Sequence, residues 1–318
     1  MSKALTRSQA NLVLIIAACA WGCAFVPQSI VAPFIGPITF TGVRFLLGAL
    51  VIAPLVWREW TSLQTHQANE HHPAPKITFK DWLHIAFMGA LLCAGTVLQQ
   101  VGMKYTSVTN AGFLTGLYVP LVPILGIILY RRRVHWVVWP AALACVLGTW
   151  LLTGAGKIDL NVGDLWVLAT VLPFTLHVLW IGGLAERLHA PLLVAWGQFI
   201  ACGVLAMCFA LPMETFDWNN LPHVIWPLAY MVFISVGIGF TGQVIGQRYA
   251  RPAEAAIILS GETVFAALAG AVILGERLPM LGYVGGALIL AGIIIVQILP
   301  DPNHASNHAP KPVEPFQL

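Results

Sequence analysis

The sequence predicts an all-α integral membrane protein with ten transmembrane helices in two inverted five-helix repeats. Three observations carry this prediction. Of the 318 residues, 58% are hydrophobic and only 9% are charged, against about 25% charged in a soluble globular domain. Ten apolar stretches follow one another, each close to the ~20 residues that a bilayer core of about 30 Å demands of a helix. The chain also matches itself at a constant offset of 144 residues. In hydrocarbon every backbone group must be satisfied internally, and apolar runs of this length do so as helices rather than as barrel strands.

The spans are read at 11–31, 37–57, 82–103, 108–130, 134–154, 163–184, 190–211, 223–246, 253–274 and 281–299. The first follows Lys3 and Arg7, and Ile16-Ala17-Ala18-Cys19 imitates a lipoprotein cleavage box. A cleaved signal peptide is rejected, because nine further spans follow and the first is needed to complete its repeat. Connections are short except for a polar loop of 24 residues from Arg58 to Asp81. The cluster His66, Glu70, His71 and His72 in that loop reads as a solvated segment rather than a metal site, since no matching ligand set accompanies it. The tail 300–318 holds five prolines and is expected to be disordered.

Charge fixes the expected orientation. With the N-terminus in the cytoplasm, 12 Lys and Arg face inward and only Lys104, Lys157 and Arg277 face outward. An even number of spans then places both termini in the cytoplasm. Nine tryptophans, among them Trp57, Trp82, Trp136 and Trp226, stand near span ends as an interfacial belt should. The six cysteines all lie in apolar runs and read as small packing residues.

At the offset of 144, Gln99 meets Gln243, Gly102 meets Gly246, Lys104 meets Arg248 and Tyr105 meets Tyr249. Spans 3–5 thus pair with spans 8–10. A looser match at 154 sets Arg44 over Gln198 and Phe45 over Phe199, pairing spans 2 and 7. Each repeat, 11–154 and 163–299, has five spans, so the second enters the membrane from the opposite side. That build is common among secondary transporters, whose site lies near the midplane between the halves.

Residues that resist the apolar pattern are candidate site residues. Glu262 lies near the middle of the stretch Pro252 to Arg277, where a carboxylate costs at least ~2.5–3.5 kcal/mol. It reads as a protonatable gate or a ligand for a substrate ammonium. In a purely structural role it would accept hydrogen bonds from hydroxyls such as those of Ser260 or Thr263. Glu254, nearer the inner end, is expected beside Arg248 or Arg251. Arg44, about 10 Å into span 2, offers a guanidinium fork to a carboxylate, or snorkels outward as a scaffold residue. Tyr118 meets Glu262 under the repeat and is expected at matching depth. Trp21 and Trp196 lie off the interfacial belt, and each indole needs a partner. Gln99 and Gln243 read as polar contacts between helices, and His177 as a proton relay or a hydrogen-bonded packing residue. The motifs Gly242-x-x-x-Gly246 and Gly282-x-x-x-Gly286 leave rocking motion, a homodimer contact and simple packing all open.

Trp21-Gly22 with Phe25, the run Val43-Arg44-Phe45, and Gly261-Glu262-Thr263-Val264-Phe265-Ala266-Ala267 followed by Leu274-Gly275-Glu276-Arg277 resemble the drug/metabolite transporter superfamily, specifically its EamA-type members. Thr263 stands where that family usually has proline, which removes the family's reason for a kink there. The resemblance spans about residues 11–299. It implies a secondary transporter in the bacterial inner (cytoplasmic) membrane that exports amino acids or related small metabolites by alternating access. It also implies spans 1–4 and 6–9 around a central cavity, spans 5 and 10 at the periphery, and energy from an ion or substrate gradient. The expected partners are a small-molecule substrate, the lipid bilayer and a coupling proton; no cofactor and no nucleic acid are expected. An integral-membrane enzyme acting on lipid and a non-transporting scaffold remain as other classes. No H-E-x-x-H, G-x-S-x-G or P-loop motif is present.

Overall fold

The computed structural model describes residues 5–67, 77–131, 134–153 and 161–299. These residues form helices α1 (Arg7–Val31), α2 (Pro37–Gln67), α3 (Phe79–Gly102), α4 (Val108–Gly116), α5 (Tyr118–Tyr130), α6 (Val138–Leu152), α7 (Val162–Ala169), α8 (Val171–Leu188), α9 (Pro191–Met213), α10 (Leu221–Tyr230), α11 (Thr241–Gln247), α12 (Pro252–Leu259), α13 (Gly261–Ile273) and α14 (Met280–Ile298). A π-helix, Met231–Phe240, joins α10 to α11. Several spans consist of two or three of these segments. Among the described residues nine spans are long and apolar enough to cross a membrane, and α6, at 15 residues, is a shorter tenth apolar helix.

The segmented spans have local causes. Pro120 has no N–H for the carbonyl of Gly116, and α4 ends at Gly116. Pro173 likewise frees the carbonyl of Ala169, where α7 ends. Between α12 and α13 there is no proline. Instead the Ser260 hydroxyl donates to the Ile257 carbonyl at 2.6 Å and the Thr263 hydroxyl donates to the Ser260 carbonyl at 2.9 Å. Such back-bonding competes with the helix ladder and bends it. The break thus forms without the proline.

One expected boundary is wrong. Span 2 does not end at residue 57, because α2 continues to Gln67 and takes up the first part of the expected polar loop. Glu59 lies in this extension and accepts the backbone N–H groups of Leu192 and Leu193 at 3.2 and 2.8 Å, at the start of α9. At the other end of the same two helices, Glu214 accepts from the N–H groups of Ile38 and Thr39 at 3.1 and 2.7 Å. The antiparallel α2 and α9 therefore hold each other's N-termini through carboxylates. Glu70, His71, His72 and the tail 300–318 lie outside the described residues.

The core packs helices closely. The α6–α14 pair meets at Gly148 and Gly285, where a Cβ on Gly285 would come within 2.3 Å of the Gly148 carbonyl. A Cβ on Gly246 would strike Leu14 of α1 at 2.7 Å. Glycines of both GxxxG-bearing helices thus serve contacts inside the chain. Trp57, Trp82, Trp136, Trp139, Trp166, Trp218 and Trp226 are exposed near span ends, as the belt requires.

Among the described residues three ion pairs stand at the end of the bundle that holds Arg7. They are Arg7–Glu254 at 3.3 Å, Arg187–Asp81 at 2.5 Å and Arg248–Glu186 at 3.0 Å. Glu254 thus pairs with Arg7 of α1 rather than with Arg248. At the opposite end carboxylates hold helix N-termini instead: Glu214 as above, and Glu276, which accepts from the N–H groups of Val108 and Thr109 at 3.1 and 3.2 Å.

Candidate functional site

A cavity lies inside the bundle, with about 550 Å³ of space unoccupied by protein atoms, part of it open to the outside. Its walls come from α1, α2, α3, α4, α5, α8, the π-helix, α11 and α13. Neither α6 nor α14, spans 5 and 10, contributes, as expected, but neither does α9, span 7, which was expected among the lining spans. On α1, α2 and α3 the lining residues sit in the half farther from the Arg7 end. The three ion pairs lie beyond the other half.

Seven of the eight expected site residues meet here: Trp21, Arg44, Gln99, Tyr118, His177, Gln243 and Glu262. The eighth, Trp196, does not. It lies on α9, partly buried against the core outside the cavity. The 3.6-residue periodicity of α9 turns Trp196 away from the cavity, while Gln198 on the same helix reaches His177.

The helix breaks set the position of the central pair. Tyr118 opens α5 just after the break at Leu117, and Glu262 follows the break at Ser260. Both are buried, and among the described residues neither the Tyr118 hydroxyl nor Glu262 Oε1 has a hydrogen-bond partner. The hydroxyls of Ser260 and Thr263 are committed to backbone carbonyls, so the structural role considered for Glu262 is not the one these groups fill. Glycine brings α1 onto this break: a Cβ on Gly22 would lie 2.4 Å from the Glu262 carbonyl.

Arg44 is 1% exposed and does not snorkel. Its Nη1 donates to Gln28 Oε1 at 3.4 Å, its Nε has no partner, and its guanidinium lies 5.3 Å from the ring centroids of both Phe40 and Phe45. Among the described residues neither Arg44 nor Glu262 forms an ion pair. Among the described residues the cavity therefore holds a buried guanidinium and a buried carboxyl group, neither paired with a group of opposite charge.

The remaining lining groups are better satisfied. Trp21 Nε1 donates to the Ser235 carbonyl in the π-helix at 3.2 Å and its ring tilts over Phe240, with centroids 4.6 Å apart. A Cβ on Gly239 would strike that indole nitrogen at 2.5 Å, so glycine is needed there. His177 Nε2 donates to Gln198 Oε1 at 2.7 Å. Gln99 Nε2 donates to the Thr115 hydroxyl at 3.1 Å rather than to Gln243, whose Oε1 has no partner. Gln28, Thr96, Thr115, Phe174, Met231, Ser235 and Phe240 also line the cavity and were not singled out from the sequence. The signal for Gln28 was available: it is an amide inside an apolar span, like Gln99 and Gln243.

A multi-pass α-helical bundle with a mostly apolar central cavity and a few convergent polar groups belongs to the class of membrane transporters. More particularly, the chain belongs to the EamA-like transporter family, within the drug/metabolite transporter superfamily, for that family's model matches residues 8–154 and again 161–298. It is similar to an uncharacterized transporter of Archaeoglobus fulgidus, with 30% identity over 298 residues, 93% of this chain and 88% of the relative. It is also similar to the uncharacterized transporter YwfM of Bacillus subtilis, with 23% identity over 91% of this chain and 94% of that protein. A solved crystal structure superposes with a TM-score of 0.73 at 18% identity, covering 92% of this chain and 98% of its own, a likeness of fold.

Proposed function

We propose that this member of the family is a secondary transporter that exports amino acids or related small metabolites from the bacterial cytoplasm by alternating access. One observation carries the reading: Arg44 and Glu262, 1% and 4% exposed, line the same cavity without counter-ions. An isolated buried charge is strongly unfavourable, on the order of several kcal/mol after relaxation. A zwitterionic cargo supplies an ammonium for Glu262 and a carboxylate for Arg44, and Trp21, Phe25, Phe174 and Phe240 offer it apolar and aromatic walls. When no cargo is bound, a coupling proton on Glu262 neutralises the anion.

The inverted-repeat relation of the halves supports alternating access, because two half-bundles of opposite direction rock about a site between them. The distribution of Lys and Arg supports placing the Arg7 end in the cytoplasm.

The test is flux in proteoliposomes with a panel of amino acids, using the wild type, Glu262→Gln and Arg44→Ala. The reading expects flux that both substitutions abolish. A panel in which no amino acid shows Glu262-dependent movement overturns it.

A further inference from the structure

We infer that Gln28 is a positioning and specificity-determining residue, which aims the Arg44 guanidinium while leaving its charge free for the carboxylate of the cargo. The inference rests on the transport reading above and adds a residue and a rule of selection to it.

Gln28 lies on α1, one residue after Pro27, and is buried. Its Oε1 accepts from Arg44 Nη1 at 3.4 Å. Its own carbonyl accepts from Gln100 Nε2 of α3 at 3.1 Å, and Gln100 is also buried. Three spans of the first half are thus joined through two amides, and both Gln28 and Arg44 face the cavity.

The choice of amide is the informative feature. A buried arginine is ordinarily paired with a carboxylate. Glutamate has the same shape as glutamine and would reach Arg44 equally well, yet would cancel its charge. A guanidinium carries five N–H donors, and among the described residues one of them is taken, by an amide oxygen at long range. The rings of Phe40 and Phe45 flank the group without neutralising it. Arg44 is held in place and left uncommitted, so an anionic group entering the cavity finds a desolvated, bidentate partner. Glutamine at position 28 therefore selects for cargo bearing a carboxylate.

The experiment compares matched cargo pairs differing only in that charge: leucine and leucinamide, phenylalanine and phenylalaninamide, lysine and lysinamide. Initial rates are measured in proteoliposomes for the wild type, Gln28→Glu and Gln28→Met, with melting temperature measured on the same proteins in detergent. The wild type is expected to favour each acid over its amide. Gln28→Glu is expected to lower that preference at least about tenfold, through a raised KM for the acid. Gln28→Met, which loses the bond but adds no charge, is expected to shift the preference less. An unchanged preference in Gln28→Glu overturns the inference.

If the wild type moves no member of the panel, the transport reading fails, and melting decides the role of Gln28. A Gln28→Glu protein more stable than both wild type and Gln28→Met supports an uncommitted Arg44, because the new carboxylate neutralises a lone buried cation. A Gln28→Glu protein that melts lower, or does not fold, overturns it.

Discussion

Tyr118 and Glu262 stand at equivalent places, each just past a break in its span and each turning an unpartnered oxygen into one cavity. The two breaks have different chemistry. Pro120 frees the Gly116 carbonyl in one span, while the Ser260 and Thr263 hydroxyls capture backbone carbonyls in the other. Tyr118 also lies within electrostatic reach of Glu262. A phenol and an acid in one cavity give it one hydroxyl able to donate and one carboxyl group able to hold a cation.

Glu262→Gln keeps the shape and removes the charge. The substitution is expected to lower kcat/KM for a zwitterionic cargo at least about tenfold. Melting of the unloaded protein is expected to hold, since a proton already neutralises Glu262 there and glutamine keeps its shape. Flux and melting measured on one preparation check both. A mutant that melts much lower with flux in proportion would assign Glu262 to the scaffold.

The fold was legible because lipid imposes a strict rule: apolar runs of this length announce spanning helices, and nine described helices have that length and composition, with α6 a shorter apolar helix. The site was legible where a residue was costly in its setting. Arg44 and Glu262 stand out in any apolar run, and the offset of 144 points from Glu262 to Tyr118. What escaped was set by side-chain direction and by pairing across spans. Trp196 carries the same signal as Trp21, yet its place on α9 turns it out of the cavity. Gln28 carries the signal of an amide in an apolar span, but its pairing with Arg44 shows only in the fold. Glu59, read as part of a loop, lies within α2 because its carboxylate holds the start of α9.

Close approach makes Gly22 and Gly286 a matched pair. A Cβ on Gly22 would lie 2.4 Å from the Glu262 carbonyl and 2.5 Å from Phe265 Cβ, both fixed atoms. Gly22→Ala is expected to cost about 1–3 kcal/mol by overpacking, and to displace Glu262 with it. At Gly286 the nearest atom to a new Cβ is 3.9 Å away, so Gly286→Ala is expected to stay within ~0.5 kcal/mol. Melting of the two variants checks the contrast, and equal losses would show that the α1–α13 contact relaxes freely.

The ion pairs at the Arg7 end each join two spans that line the cavity. Arg187 and Glu186 are neighbours at the end of α8, and one turn thereby binds α3 through Asp81 and the end of α11 through Arg248. The Asp81 side chain is 2% exposed against 30% for Arg187. A double-mutant cycle on Asp81→Asn and Arg187→Gln is expected to give a coupling of ~1–3 kcal/mol. The Arg248–Glu186 pair, with both side chains partly exposed at 19% and 21%, is expected to give only ~0.5–1 kcal/mol. If these pairs close the cavity at that end, Arg187→Gln also speeds labelling of a cysteine placed at Val178 by a reagent applied from the Arg7 side. Unchanged labelling would leave the pairs as ties of stability alone.

Glu214 and Glu276 do at the opposite end what ion pairs do at the Arg7 end, with helix N-termini in place of arginines. Glu214 accepts from the backbone N–H groups of Ile38 and Thr39 and from the Thr39 hydroxyl. Glu276 accepts in the same way from Val108, Thr109 and the Thr109 hydroxyl. The first turn of a helix leaves N–H groups without partners, and its dipole favours negative charge. Each carboxylate therefore ties the end of one span to the start of another, α9 to α2 and α13 to α4. Truncation to alanine leaves two backbone donors unsatisfied. Glu214→Ala and Glu276→Ala are each expected to cost about 1–2 kcal/mol. Glutamine keeps an acceptor and loses the charge, so Glu214→Gln and Glu276→Gln are expected to lose about half as much. Asp217 only caps its own local turn through Asn219, and Asp217→Ala serves as the control, with a loss of no more than ~0.5 kcal/mol. Melting across the five variants separates the cases. Alanine and glutamine losses of equal size at Glu214 would mean that charge alone makes the tie, and losses no greater than that of Asp217→Ala would mean that water replaces the carboxylate at these helix starts.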